Sequence, residues 1–250
     1  MYNIEDGVKH IREFTVGSQD VDGSGRIRPS RLSAYLQEAG DSHLRSYGVD
    51  YKTMHDEGHQ AFIVSRFTVE YITDVMQYDK IKVRTWFDEG KGVNYPRSYD
   101  ALVDGKPAVR AYSNWGLIDL ESGRFVRFSD YIYSNGPFEP NVELEMPERF
   151  RIPKELELEP VFSFDVRHSM TDMNNHMNNV MYIDPMWDAI PDVESRRIGS
   201  FSIRFVHESL LGDRLTVLRS ELISEDGRDV IYFRIVSGDE IRAEGRWTVR

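Results

Sequence analysis

Two stretches of this chain carry the same pattern in the same order. Phe67, Val69 and Tyr71 parallel Phe201, Ile203 and Phe205. Asp79-Lys80-Ile81-Lys82-Val83 parallels Asp213-Arg214-Leu215-Thr216-Val217. Val109-Arg110-Ala111 with Trp115 parallels Ile241-Arg242-Ala243 with Trp247. Any one match has a chance explanation. Three in order, at nearly constant separation, point to a duplicated unit of roughly a hundred residues, far longer than a solenoid repeat. A chain of 250 residues has room for two such units, each with its own core.

Between the copies the composition changes. Pro137, Pro140, Pro147, Pro153 and Pro160 fall among many glutamates in residues 134–160. Proline fixes φ and removes a backbone donor, so this stretch reads as extended and irregular. The predicted division is residues 1–135, a linker at 136–158, and residues 159–250. Each half reads as one helix followed by strands. Leu32, Tyr35, Leu36, Ala39, His43, Leu44 and Tyr47 recur at helical spacing, with Pro29 near the start and Gly48 past the end. Strand alternation follows at Phe67–Tyr71, Ile81–Phe87 and Val109–Leu117, and again through Phe201–Phe205, Leu215–Val217, Ile231–Ile235 and Ile241–Trp247. A helix followed by an antiparallel meander is α+β. A sheet that must bury one face can wrap the helix, and two copies make a tandem (double) hotdog: two curved antiparallel sheets, each around a central helix.

Composition removes several functions. The chain has no cysteine, which excludes disulfides, thiolate metal sites and a cysteine nucleophile, and is compatible with a reducing compartment. The opening Met1-Tyr2-Asn3-Ile4-Glu5-Asp6 is acidic and lacks the basic and apolar blocks of a signal peptide. No apolar run approaches the ~20 residues of a membrane span, so the expected location is the cytoplasm. A net charge of −11 argues against nucleic-acid binding.

Two polar segments invite a chemical reading. Asp20-Val21-Asp22-Gly23-Ser24-Gly25-Arg26-Ile27 resembles the start of a calcium loop, but Arg31 stands where a bidentate glutamate is required. A polar turn leading into the helix is the expectation, with no calcium. The second segment runs from Ser169 to Trp187. Asp172, Asn174 and His176 alternate, which on an extended segment places all three on one side. Asn178 or Asn179 follows and can cap a helix carrying Val180, Ile183 and Trp187, directing backbone N–H groups toward developing negative charge. An asparagine-rich capping turn is the plainer alternative. A metal site from Asp172, His176 and His168 lacks supporting spacing.

Asp172-Met173-Asn174-Asn175-His176-Met177-Asn178-Asn179 resembles the DxNxHxNN signature of the acyl-acyl carrier protein thioesterases, the family of the plant plastid enzymes, and Tyr182 and Trp187 extend it. The resemblance covers nearly the whole chain. Without a transit peptide, it is similar to a bacterial relative. It implies hydrolysis of an acyl thioester, with no cofactor and no metal. The family places a catalytic glutamate on a strand after the second helix, and the matching position is Glu208 in Phe205-Val206-His207-Glu208-Ser209; Asp74 occupies the corresponding point of the first half. Plant members often carry cysteine after the glutamate, where this chain has Ser209, so carboxylates must carry the reaction.

On that resemblance Glu208 is the general base for water, and Asp172 is a second carboxylate able to attack instead. His176 positions water or shuttles a proton, and Asn174 orients the carbonyl or the base. Backbone N–H groups near Asn178 and Asn179 serve the oxyanion. The first half, lacking an Asn-His pair, is expected to bind the acyl chain. The expected partner is an acidic acyl carrier protein carrying an acyl-phosphopantetheine; Arg196-Arg197 is a docking candidate and equally a solvated surface pair. A homo-oligomer is compatible with the sequence. The alternatives are a hotdog acyl-coenzyme A thioesterase, a hotdog dehydratase (against which the additional Asp172 and Asn174 argue) and a non-catalytic acyl- or calcium-binding module.

Overall fold

The structure, a computed structural model, describes residues 9–50, 52–131, 137–146 and 149–250. The opening hexapeptide, Pro147 and the predicted boundary at residue 135 lie outside the described residues. The strands are β1 (His10–Thr15), β2 (Gln60–Tyr71), β3 (Lys80–Phe87), β4 (Tyr95–Val103), β5 (Lys106–Asp119), β6 (Arg124–Val126), β7 (Glu159–Asp165), β8 (Ile198–Phe205), β9 (Arg214–Arg219), β10 (Ile223–Glu225), β11 (Arg228–Ser237) and β12 (Glu240–Val249). The helices are α1 (Pro29–Ser46) and α2 (Ile183–Asp188), the second preceded by a 3-10 turn at Asn179–Tyr182.

All the strands form one antiparallel sheet whose main path is β1-β3-β4-β5-β2-β8-β12-β11-β9-β7. The path is a palindrome of topology. Strands β7, β8, β9, β11 and β12 repeat the connectivity of β1, β2, β3, β4 and β5, and the two copies meet where β2 pairs β8. At that seam Thr68 lies opposite Ser202 and their hydroxyls hydrogen-bond at 2.8 Å. Phe67 and Val69 of one copy, with Ile203 and Phe201 of the other, point inward and are buried. One hydrophobic core runs through both copies. This is the double hotdog.

Two of the three sequence matches agree with the ladders, and the third slips. Val69 faces Ala111, while Ile203 faces Gly245, so the ladder equates Ala111 with Gly245, and Val109 with Ala243. The sequence comparison had aligned Ala111 with Ala243. A slip of two residues leaves every side chain on its own face, so hydrophobic alternation cannot detect it.

Helix α1 starts with Pro29 in the first turn, where its missing N–H costs nothing, and ends before Gly48, whose φ is +76°. Leu32, Leu36, Ala39 and His43 are buried; Tyr47, expected on the same face, is exposed at the helix end. The second helix is much shorter than the first. Pro185 is accepted in its first turn, and Pro191 disfavours continuation through Ile190. Where α2 crosses β12 the sheet needs Gly245: a Cβ there would lie 2.7 Å from Met186 Sδ.

The described linker residues contain neither helix nor strand up to β7. Trp86 Nε1 donates to Pro140 O at 3.0 Å, Val142 N–H to Ser98 Oγ at 2.9 Å, and Met146 N–H to the Glu70 carboxylate. Phe150 then packs on Val230 and Tyr232 with Ile152, Leu156 and Leu158. The strap thus touches β2, β3 and β4 and then β11.

Candidate active site

The residues 171–177 form a tight turn closed by a Thr171–Met177 bridge, not the extended segment that alternation suggested. Asp172 organises it. Its Oδ1 accepts the N–H of Asn174 at 2.9 Å and of His176 at 3.3 Å; its own N–H donates to His176 O at 2.8 Å. Asn175 takes φ +58°, a left-handed position that asparagine tolerates. Next to the turn, Met177 N–H donates to Ser209 O at 2.8 Å and His176 bridges Leu210, which fastens the turn to the chain leaving β8. That contact brings His176 Nδ1 to 3.3 Å from Glu208 Oε2. The imidazole is half-buried and the carboxylate exposed, so the pair has both water and a fixed mount.

Asn178 caps the following turn through Oδ1, which accepts Val180 N–H at 3.0 Å. The Asn178 N–H donates to Met170 O at 2.9 Å and Met181 N–H to Asn178 O at 2.8 Å. The Asn178, Val180 and Met181 N–H groups are therefore engaged within the protein. Asn174 and Asn178 border a cavity of about 500 Å³. Its walls come from the first copy, with Leu44, Phe62, Phe87, Tyr95, Trp115 and Phe128 prominent among them, and Val180 and Met181 beside the asparagines.

The first copy contains the same turn without the same chemistry. Asp22 Oδ1 accepts Ser24 N–H at 2.8 Å and Arg26 N–H at 3.1 Å, Asp22 N–H donates to Arg26 O at 2.8 Å, and Gly25 takes φ +79°. Ile27 N–H donates to Val75 O as Met177 N–H does to Ser209 O. Arg26 stands where the second copy has His176, and Asp74 where it has Glu208. Arg26 Nε lies 3.4 Å from Asp74 Oδ2, and Arg197 Nη1 also lies 3.4 Å from it. Asp74 is thus paired with two guanidinium groups, where Glu208 is paired with one imidazole. The cavity at this place, with Trp187 in its wall, shrinks to about 30 Å³. Duplication has left one open site and one closed copy of it.

The former calcium-loop candidate is this closed turn. Asp20 faces the helix, taking Gly17 N–H at 2.9 Å, Arg31 Nε at 2.8 Å and Tyr35 Oη at 2.7 Å. Among the described residues no group of three or more His, Asp or Glu side chains is arranged to hold a metal. Arg196 and Arg197 are not a free pair: Arg196 Nε donates to Pro191 O at 3.0 Å, and Arg197 serves Asp74.

Two residues went unread in the sequence. Arg242 Nη1 donates to Glu208 O at 2.7 Å and Nη2 lies 3.4 Å from Asp213 Oδ2, so it holds the main chain under the glutamate. The ladder equates it with Ala108 of the first copy, a difference the slipped alignment concealed. Arg97 lines the cavity although it is 5% exposed. Ser209, fully buried, accepts the Tyr182 hydroxyl at 2.8 Å.

Residues 7–135 match the acyl-ACP thioesterase N-terminal domain and residues 154–248 the acyl-ACP thioesterase C-terminal domain. An oleoyl-acyl carrier protein thioesterase of Arabidopsis thaliana is 23% identical over 89% of this chain and 67% of its own length. A dodecanoyl-[acyl-carrier-protein] hydrolase of Cinnamomum camphora is 25% identical over 85% of this chain and 59% of its own length, so the chain spans about three fifths to two thirds of these plant proteins. An acyl-ACP thioesterase of Bacteroides thetaiotaomicron superposes with a TM-score of 0.84 at 23% identity, covering 97% of this chain and 98% of that one. A 12:0-ACP thioesterase of Umbellularia californica gives 0.83 at 18% identity, covering 98% and 94%. With both domain profiles of one enzyme family matched in order, this chain belongs to the acyl-ACP thioesterase family.

Proposed function

We propose that this chain is a cytoplasmic hydrolase that cleaves the thioester of an acyl chain carried on acyl carrier protein. The observation that carries the reading is the His176–Glu208 pair, its histidine on the same turn as Asn174, which with Asn178 borders a cavity lined by aromatic and aliphatic side chains together with several polar ones. A cavity of this size, with Leu44, Phe62, Phe87, Tyr95, Trp115 and Phe128 in its wall, suits one extended acyl chain. Residues 1–135 supply most of its walls and residues 159–250 the chemistry, joined by 136–158. The absence of cysteine fits a reducing compartment and leaves the carboxylates to do the work.

In the proposed reaction Glu208 takes a proton from water as its oxygen attacks the thioester carbonyl. His176 holds Glu208 in place and carries the proton onward to the departing thiolate, so water and thioester become carboxylic acid and thiol. Asn174 orients the carbonyl, and the side-chain amide of Asn178, with Asn179 beside it, faces the developing oxyanion. Asp172 is the positioning carboxylate. Its Oδ1 already holds two backbone N–H groups, and Asp22 does the same in the closed copy. That duplication supports turn-keeping over attack on the substrate. The acidic carrier must meet local positive charge, because the net charge of −11 repels it.

The test is steady-state hydrolysis of acyl carrier protein thioesters over a range of chain lengths, with matched coenzyme A thioesters alongside. Higher kcat/KM on the carrier-bound series is expected. Equal or better turnover of the coenzyme A series would move the assignment to an acyl-coenzyme A hydrolase, and no turnover of either would leave a binding module.

A further inference from the structure

The cavity wall contains a cation that an ordinary hydrocarbon chain does not need. Arg97 on β4 is almost wholly buried and borders the cavity. Its guanidinium lies 4.1 Å over the Phe87 ring. Nη1 donates to His43 Nδ1 and to Thr85 Oγ1, both at 3.1 Å. Nη2 is buried and has no hydrogen-bond partner. Both acceptors of Nη1 are neutral groups: burial and the nearby cation push the His43 imidazole down to about 2. Asp88 is the carboxylate that senses Arg97, but its Oδ2 is taken by Ser98 Oγ at 2.8 Å, its Oδ1 has no hydrogen-bond partner, and burial raises its carboxyl to about 7. Among the described residues no carboxylate closes an ion pair on Arg97.

A buried charge with no carboxylate in ion-pair contact is costly, and a buried donor without an acceptor costs further. The position is also closely fitted. Helix α1 passes Arg97 at Gly40, where a Cβ would sit 3.4 Å from Arg97 Cδ and 3.2 Å from Tyr99 Oη. We propose that the cavity takes an acyl chain bearing an acceptor oxygen, as a hydroxyl, oxo or carboxylate group, on the carbons that reach Arg97, and that Arg97 donates a hydrogen bond to it. The inference rests on reading this cavity as the acyl site, and it assigns Arg97 as a residue that selects among acyl chains.

The test separates the inference from the hydrolase reading by using ligands that cannot be hydrolysed. Acyl-pantetheine amides, matched in length, carry a plain chain or a distal hydroxyl, oxo or carboxylate group. Calorimetric titration of the full chain should find at least one oxygenated series binding about tenfold tighter or more than its plain counterpart, the gain expected of one hydrogen bond to a charged group. The three oxygenated arms show which group is read. In Arg97→Met the ratio should fall toward one, and in Arg97→Lys, which keeps charge but loses the planar fork, it should be reduced. Folding of each variant is checked by circular dichroism. If Arg97→Met does not fold, the wild-type ratio and Arg97→Lys decide. Plain chains binding as tightly as every oxygenated one in the wild type, or a preference that survives in Arg97→Met, would overturn the proposal. Hydrolysis of plain thioesters reports on the hydrolase reading alone.

Discussion

His176 and Glu208 differ from Arg26 and Asp74 by two side chains on a shared backbone frame, and that difference sets expectations for single substitutions. Glu208→Gln and His176→Ala should lower kcat by about 10²–10⁴ with little change in KM, because each removes transition-state stabilisation. Asp74→Asn should leave kcat near the wild-type value, since Asp74 is held between Arg26 and Arg197 in the closed copy. Asp172 separates two roles. If it keeps the turn, Asp172→Asn retains an Oδ1 acceptor and should cost much less than Asp172→Ala; a nucleophile would be lost equally in both. Ser209→Ala should stay active, because its hydroxyl faces Tyr182, and should lose about 1 kcal/mol of stability as the Tyr182 hydroxyl loses its acceptor. Single-turnover hydrolysis and urea unfolding of each variant check the set. An inactive, folded Ser209→Ala would sink the assignment.

Helix α1 brings a titratable cluster against β1 and β4. His10 is held down to about 4 and His43 down to about 2, by burial first and then by Arg97. Arg12 adds to the effect on His10. An unfolded chain protonates both below about 6.5 and the folded chain does not. The stability they contribute is therefore full above about pH 6.5 and is lost as pH falls toward 4. Asp88 acts in the opposite sense. Its carboxyl, pushed up to about 7, holds a proton in the folded state that the unfolded chain releases above about 4. Two histidines against one carboxyl leave about one proton, or ~1.4 kcal/mol per pH unit between about 4 and 6.5. His43→Gln should flatten that slope whatever it does to stability at pH 7. Urea midpoints at pH 7 and pH 5 for both proteins measure it; an unchanged slope would mean His43 is not buried neutral. At the other helix, Gly245→Ala should destabilise by about 1–3 kcal/mol, because Met186 must move away from β12.

The whole molecule is joined by its sheet and by the linker strap. Hydrogen bonds run unbroken from β1 to β7 through the β2–β8 seam, and the main core draws on both copies. Urea unfolding should therefore be a single cooperative transition when followed by Trp fluorescence and by far-ultraviolet dichroism. Two resolved transitions would show that the copies fold separately. Phe150, buried against Val230 and Tyr232, makes the strap part of that unit. Phe150→Ala should cost about 3 kcal/mol, and a neutral result would mean the strap lies loose on the sheet.

Much of this was determined by the sequence alone, and the reason is physical. Periodicity of 3.6 and of 2 marks a buried helix face and buried strand faces wherever one side meets a core, so α1 and the meanders were legible. So were the duplication, the polar turn at Asp20–Gly25 and the cap at Asn178. What alternation cannot encode is position along a strand. The two-residue slip between Ala111 and Ala243 therefore stood until the ladders placed Ala243 opposite Phe205, and with it went the identity of Arg242 as the partner of the Glu208 main chain. Nor can spacing within one segment report what lies across from it. Asp172, Asn174 and His176 were named from their signature, but their geometry follows from a left-handed Asn175 and a bridge to Leu210. The pairing of His176 with Glu208, the closing of the first copy by Arg197, and the burial of Arg97 at the cavity wall each join residues far apart in the chain. Only the tertiary structure decided them, because charge and burial are properties of neighbours in space.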